Sequence, residues 1–243
     1  MVFHLSFHLQ VFFAVTLPRM RTVLIDVGAN CGNSYHLLLE TKPLINTTNL
    51  EAYLWEANPS FIAWYLEPLA KRDPRVNVVP YAASNRTHHT KFFLTLGQTH
   101  LTQEEMNSKF PCDPHSRLNP MGASSLKRVP RAGRTVRVQA VDFAAWMTGL
   151  GLHTRDRVIV KIDIEGSEFD VLRHLLRFDV FDVCIVDTWF IEWHVGLVNG
   201  SSAASEMELK TQFEARLVQC PKKRTGNHGT GYDTRRWQSW HRY

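Results

Sequence analysis

From residue 22 onward, short β-branched runs alternate with amphipathic helices, and this alternation strongly constrains the fold. Thr22–Val27 (TVLIDV) and Val158–Ile162 (VIVKI) are apolar runs typical of strands that are buried on both faces. Further strands are predicted at 52–55, 76–79, 91–96, 136–141 and 183–186, and helices at 34–41, 59–69, 142–148, 167–177 and 206–217. This pattern predicts an α/β fold with a doubly wound, mostly parallel sheet.

The composition is that of a globular chain, with 243 residues, 44% hydrophobic and 21% charged. The net charge of +5 lies in residues 220–243, since acids and bases balance in residues 1–219. A basic face for nucleic acid is therefore not predicted for the body of the chain. We divide the chain into an apolar leader (1–21), a main domain (22–219) with a lid or insertion at about 97–134, and a basic tail (220–243).

The leader leaves the compartment and any membrane association open. Met1–Val15 is too short and too polar for a transmembrane helix, and it lacks the basic start of a signal peptide. Alternating apolar residues from Phe3 to Val11 favour a strand, so the leader packs, is trimmed, or targets the chain. The cytoplasm and the lumen of the secretory pathway both remain possible.

Cysteines and glycosylation sequons add little at this stage. The four cysteines form no C-x-x-C pair, which argues against a zinc ribbon or a thioredoxin-type site, and they are too few for a disulfide scaffold. Three glycosylation sequons begin at Asn46, Asn85 and Asn199 and would fit an enzyme of the secretory pathway.

A glycine-containing loop, Asp26–Gly32 (DVGANCG), follows the first predicted strand, at the edge where doubly wound sheets bind ligands. Gly28 and Gly32 permit a tight turn and a close approach, but the second glycine of a dinucleotide fingerprint is absent. Glu56 ends the second predicted strand, where an acid can accept hydrogen bonds from a ribose diol. Asp26, the loop and Glu56 together predict S-adenosylmethionine, with its positive ammonium and sulfonium groups. A nicotinamide dinucleotide and a purely structural corner are the alternatives.

Four segments resemble the motif series of the FkbM-type methyltransferases: IDVGANCG at 25–32, WEANP at 55–59, VNVVPYAAS at 76–84 and VKIDIEGSEFDVL at 160–172. The resemblance implies a class I methyltransferase (Rossmann-like) fold that uses S-adenosylmethionine to methylate a hydroxyl of a sugar or natural product. It also implies a cofactor site. In that site the methionine and ribose are lined by Asp26, Gly28, Asn30 and Gly32, and the ribose diol is held by Glu56. Ser84 is implied to lie near the adenine and Asp163 beside the reacting methyl group.

The resemblance runs from about residue 22 to 195, and its departures lie at the ends. Gly122–Leu126 also resembles a loop of the family, which supports a lid. The leader and the basic tail match nothing, and Thr188 stands where family members often carry an acid.

Candidate catalytic residues follow the last two predicted core strands. Asp163 directly follows a buried strand, so its ionised form needs a partner such as a cationic cofactor, unless it only caps the next helix. Glu192 and His194 share one face of an extended segment, so we expect Glu192 to orient His194 as a general base. An aromatic core strand with a satisfied histidine is the alternative. Glu168 is expected only to complement the positive end of its helix. Lys161 is expected to pair with a neighbouring acid such as Asp26 or Asp187, or to bind the substrate.

No metal is predicted, because no set of metal ligands at a recognisable spacing stands out. The expected function is an O-methyltransferase acting on a hydroxyl of a glycan or other small molecule. A nucleic-acid methyltransferase, suggested by the pI of 9.1 and the basic tail, and a catalytically silent interaction protein are the alternatives.

Overall fold

Five strands form the central sheet of the computed structural model, which describes residues 21–41, 47–95, 102–109, 112, 132–177, 182–196 and 202–220. They are β1 (Thr22–Val27), β2 (Leu50–Trp55), β3 (Val76–Val79), β7 (Arg157–Ile162) and β8 (Thr188–Ile191). Their order across the sheet is β3-β2-β1-β7-β8, and each neighbouring pair is parallel. The predicted α/β fold with a doubly wound, mostly parallel sheet is confirmed.

A second sheet of three strands, which the sequence analysis did not predict, stands beside the first. It contains β4 (Ala82–Ser84), β5 (His88–Thr95) and β6 (Ala132–Asp142) in the order β4-β6-β5. β5 and β6 are antiparallel, whereas β4 and β6 are parallel. The insertion therefore connects two strands that pair with each other.

Helices cover both faces of the central sheet. They are α1 (Asn33–Thr41), α2 (Pro59–Phe61, a π-helical stretch Ile62–Leu66 and Glu67–Arg72), α3 (Gln103–Lys109), α4 (Phe143–Gly149), α5 (Glu168–Arg177) and α6 (Ala203–Val218). The Asn58 and Asp142 side chains accept hydrogen bonds from Ser60 N and Ala145 N and thereby cap α2 and α4. None of the helices in the described segments is long and apolar enough to cross a membrane.

Two hydrophobic clusters lie on opposite faces of the central sheet, because successive side chains of a strand point in opposite directions. Val23 and Ile25 belong to a cluster shared with α4, α5 and α6. Leu24, between them, belongs to a cluster shared with α1 and α2. β1 is thus buried on both faces, as its apolar sequence predicts.

The prediction of a strand at 183–186 is wrong. Val183–Ile185 forms a 3₁₀ turn, capped by the Asp182 side chain, which accepts from Cys184 N. The strand is β8, which begins at Thr188. Of the predicted insertion at 97–134, the described part comprises α3, Cys112 and the first residues of β6. Residues 1–20 of the leader, 122–126 of the loop and 221–243 of the tail lie outside the described residues.

Phe213 of α6 should be a main source of stability where α6 packs against β8. Its side chain is fully buried and meets the Trp189 ring edge-on, with 5.3 Å between centroids. Phe213→Ala should lower the free energy of unfolding by about 3–5 kcal/mol, because it removes buried aromatic area and leaves a cavity. Urea unfolding monitored by tryptophan fluorescence measures this. Gln212→Ala, at an exposed position of the same helix, should change stability by less than about 0.5 kcal/mol. Equal losses in both variants would contradict the assignment.

Candidate active site

The glycine-containing loop turns sharply between β1 and α1. Gly28 N and Ala29 N both donate to Trp55 O, at 3.0 and 2.8 Å, and tie the loop to the end of β2. Gly28 has a φ of +81°, and a Cβ at this position would collide with the Asp163 carbonyl oxygen. A glycine is therefore required here both by the backbone conformation and by the close approach to the end of β7.

Glu56 lies directly after β2 and is held by three backbone amides. Its Oε1 accepts from Ala57 N and Asn58 N at 2.9 and 2.7 Å, and its Oε2 accepts from Asn30 N at 2.8 Å. Asn30 reaches this position with a φ of 54°, a left-handed conformation that asparagine tolerates. Burial raises the pKa of Glu56 to about 7, although the three amide hydrogen bonds act in the opposite direction.

A cavity opens between the carboxyl ends of β1, β2 and β7, as expected for a ligand site in this type of sheet. Glu56 lines one part of it, and Asp163 and Glu165 line another. Gly28 and Asn30 bring the glycine-containing loop to the same cavity. Acidic side chains therefore surround a space that is partly walled by apolar residues.

A buried lysine links the loop to the acids. Lys161 Nζ donates to Gly28 O at 2.8 Å and lies 3.1 Å from Asp26 Oδ1 and 3.4 Å from Asp163 Oδ2. The Lys161 side chain is only 2% exposed and that of Asp26 is fully buried. Burial alone would lower the pKa of Lys161, but the two carboxylates raise it, so the ammonium stays charged. Lys161 fixes the positions of the loop and Asp163 at once.

His194 lies after β8 and is oriented by Glu168 at the start of α5. The Glu168 Oε1 atom accepts from His194 N at 2.8 Å and lies 3.2 Å from Nδ1 of the same residue. Its Oε2 accepts from Gly166 N at 2.7 Å. Glu168 is fully buried, so the expectation that it only complements the helix end is wrong. Since Glu168 is on Nδ1, it takes the orienting role that the sequence assigned to Glu192.

The other ring nitrogen of His194 faces three carboxylates. Nε2 lies 3.9 Å from Asp163 Oδ1, 3.7 Å from Glu165 Oε2 and 3.8 Å from Glu192 Oε1. Burial alone would lower the pKa of His194, but the Glu168 hydrogen bond and the surrounding negative charges raise it to about 9. The imidazole is therefore mostly protonated at neutral pH and is the positive centre of an acidic cluster.

Three of these groups could also surround a cation. Ligand-type atoms of Asp163, Glu192 and His194 lie within 4.8 Å of one another. No such set stands out in the sequence, because its members follow two different strands, β7 and β8. The carboxylates of Asp163 and Glu192 need a positive charge beside them, and either protonated His194 or a bound cation could supply it. The expectation that no metal is needed therefore depends on His194 being protonated.

The residues predicted to bind the cofactor do not all reach the cavity. Gly28, Asn30, Glu56 and Asp163 line it. Asp26 is instead buried against Lys161, so its contribution is to position other groups. Two further residues predicted to bind the cofactor lie elsewhere: Gly32 faces Leu66 and Leu69 of α2, and Ser84 lines a second cavity, together with His174.

Two features were missed by the sequence analysis. Glu168 is separated from His194 by 26 residues, and nothing in the local pattern links them. Cys31, within the glycine-containing loop, forms a disulfide with Cys112 of the insertion, 81 residues later. The only sequence signal for this disulfide was an even number of cysteines.

Comparison with known proteins identifies the family. The family model of the methyltransferase FkbM domain matches residues 26–214. A comparison with curated proteins finds no significant match. Among solved structures, the methyltransferase FkbM from Methylobacillus flagellatus KT resembles this chain with a TM-score of 0.42 and 13% sequence identity. The match covers 86% of this chain, and the chain spans 41% of the length of that protein.

The matched region begins at Asp26 and ends in α6, so it includes the last two residues of β1, the glycine-containing loop, Glu56 and the acidic cluster around His194. The loop, Glu56, Asp163 and Glu165 line the cavity at the carboxyl edge of the central sheet. The four motifs noted in the sequence fall in the same region, except for Ile25 just before it. The chain belongs to the FkbM methyltransferase family.

Proposed function

We propose that this methyltransferase uses S-adenosylmethionine to methylate a hydroxyl group of a sugar or glycan. The observation that carries the proposal is the pairing, in one cavity, of a buried acid at the end of β2 with two acids after β7, Asp163 and Glu165, which belong to the acidic cluster around His194. The first, Glu56, suits a ribose, and the second suits a cationic group and an acceptor that loses a proton.

The capacity of Glu56 supports a ribose contact. A carboxylate offers about four lone-pair sites, and backbone amides use two on Oε1 and one on Oε2. Oε2 therefore has room for one further donor such as a ribose hydroxyl. In addition, the carboxylates of Asp163 and Glu165 favour a positively charged sulfur in the cavity. When bound, S-adenosylmethionine supplies a methyl group activated by that charge.

His194 is the proposed general base. Methyl transfer to a hydroxyl requires that the hydroxyl proton be removed as the oxygen attacks. Nε2 of His194 lies beside Asp163 and Glu165, both of which line the cavity. Glu168 holds Nδ1 and stabilises the imidazolium that forms when Nε2 takes the proton. Glu192 and Asp163 add negative charge that stabilises the same imidazolium.

The acceptor class is tested directly with isotopically labelled S-adenosylmethionine. We expect label on glycans or monosaccharides and none on RNA or DNA, since the charge of residues 1–219 is balanced. Mass spectrometry of the product locates the methyl group on oxygen. Transfer to a nucleic-acid base would favour the alternative acceptor, and bound S-adenosylmethionine without transfer to any acceptor class would favour a silent interaction protein.

Glu56→Gln should weaken the binding of S-adenosylmethionine about ten- to a hundred-fold. The substitution keeps the shape of the side chain but removes a charged acceptor, a loss of about 1.5–3 kcal/mol. Isothermal titration calorimetry measures the change. Glu67→Gln, at an exposed position of α2, removes the same charge away from the cavity and should bind like the wild type. If Glu56→Gln also bound like the wild type, the ribose would be held elsewhere.

The same assay has a pH signature. The pKa of Glu56 is raised to about 7, and a protonated carboxyl is a weaker acceptor. The Kd of the wild type should therefore rise as the pH falls through about 7, whereas the Kd of Glu56→Gln should lack this dependence.

His194→Ala should lower kcat by about 10²–10⁴-fold while leaving the Kd for S-adenosylmethionine nearly unchanged. The wild-type kcat should rise with pH up to about 9, because Nε2 must lose its proton before it can accept another. This rise should be absent from the variant. His153→Ala, at an exposed site before β7, is the matched control and should keep both parameters. If His194→Ala kept most of the wild-type turnover, His194 would be excluded as the base and Asp163 would be the next candidate.

Turnover should not depend on a divalent metal. Protonated His194 already supplies positive charge between Asp163, Glu165 and Glu192, and a bound cation would have to displace that proton. Activity measured at neutral pH should therefore survive prolonged dialysis against EDTA. Loss of activity in EDTA, followed by recovery with Mg²⁺, would instead assign Asp163, Glu192 and His194 to a metal centre.

A further inference from the structure

All four cysteines of this chain are paired. Cys31 and Cys112 form one disulfide, with 5.7 Å between their Cα atoms, and Cys184 and Cys220 form the other, with 5.2 Å. Both separations fall within the usual range for disulfides. The partners are 81 and 36 residues apart in the sequence, so the fold rather than local proximity brings each pair together.

Each disulfide joins elements that the site depends on. Cys31 belongs to the glycine-containing loop, and Cys112 to the insertion between β5 and β6. Cys184 lies in the 3₁₀ turn before β8, and Cys220 follows α6, which packs beside β8. Disulfides persist in oxidising compartments and are rare where thiols are kept reduced. The pairing of every cysteine therefore points to an oxidising environment.

A second covalent signature points to the same environment. The sequon Asn85-Arg86-Thr87 forms the turn between β4 and β5, and all three residues are exposed. Because Asn85 is exposed in this turn, its side-chain amide is accessible to a glycosylating enzyme. An Asn-X-Thr sequence on a surface turn is an acceptor for N-glycosylation in secreted proteins.

We propose that this fold is built for an oxidising, glycosylating compartment, where it forms both disulfides and accepts an N-linked glycan on Asn85. Each cysteine pair transfers two electrons and two protons to the disulfide of an oxidoreductase, which becomes a dithiol. The Asn85 amide nitrogen forms a bond to C1 of an oligosaccharide linked to a lipid pyrophosphate. The C1–oxygen bond breaks, the lipid pyrophosphate leaves, and the nitrogen releases one proton. Neither step depends on the proposed methyl acceptor.

The experiment compares two forms of the full chain made in the same eukaryotic cells. One form carries an added cleavable signal peptide that directs it into the secretory lumen, and the other is made in the cytosol. Peptide mass spectrometry under non-reducing conditions, after alkylation of free thiols, reports disulfides and the occupancy of Asn85. Tm reports stability.

The lumenal form should contain both disulfides and a glycan on Asn85. Asn85→Gln and Thr87→Ala should abolish this glycan, whereas Thr87→Ser, which keeps the sequon, should retain it. Thr87→Ser also keeps the hydroxyl that accepts from Asp142 N, so it controls for local structure. The cytosolic form should have alkylated cysteines and a Tm lower by several degrees, because its unfolded state is not cross-linked.

Two results would overturn the proposal. An unmodified Asn85 in the lumenal wild type would reject the glycan. Free thiols in the lumenal form, or a cytosolic form with the same Tm and free thiols, would reject a fold built for oxidising conditions. A lack of methyl transfer alongside intact disulfides and glycan would count against the proposed function alone, so the two failures are distinguishable.

Discussion

The buried ammonium of Lys161 is the interaction on which the rest of the site depends. It lies at the carboxyl end of β7, where it meets Asp26 of β1, Asp163 after β7 and the carbonyl oxygen of Gly28. A lone buried charge would cost several kcal/mol, so the ammonium and the carboxylates must come together. The parallel register that pairs Asp26 with Lys161 makes this possible. Since the same ammonium holds the loop and one cavity carboxylate, the glycine-containing loop and the acidic side of the cavity form one unit.

Burial affects the pKa values of Glu56 and His194 in different ways. For Glu56, burial is the dominant cause and raises the pKa to about 7, because backbone amides stabilise the carboxylate only in part. For His194, burial would lower the pKa, but Glu168 and the other carboxylates outweigh it. Glu56 is therefore balanced between its charged and neutral forms near neutral pH, whereas His194 keeps a proton. A base with a raised pKa is rarely neutral at pH 7, but each neutral molecule accepts a proton more strongly.

Local sequence was sufficient to predict the parts of the site that are formed by one strand and the loop that follows it. The apolar run of β1, the glycine-containing loop and Glu56 were predicted because each depends on residues close together in the sequence. The strand at 183–186 was wrong for a related reason, since a short apolar run has no period that distinguishes a strand from a turn. Asp182, which caps the 3₁₀ turn there, could have been recognised as a competing signal. The second sheet depends on pairing between β5 and β6 across the insertion, and alternation along a single strand carries no information about its partner.

Two acids near the cavity, Glu168 and Asp26, have contacts that are made across the fold rather than within a local motif. Glu168 has the position of an ordinary acid in the first turn of a helix, yet it is fully buried because β8 brings His194 over that turn. Asp26 has the position at which a cofactor ligand is predicted, but it pairs with Lys161 of the neighbouring strand and does not line the cavity. In both cases the buried carboxylate is paired with a donor, since an unpaired buried charge is costly. A motif therefore identifies which acids a methyltransferase of this family carries, whereas the packing of neighbouring strands decides which of them line the cavity.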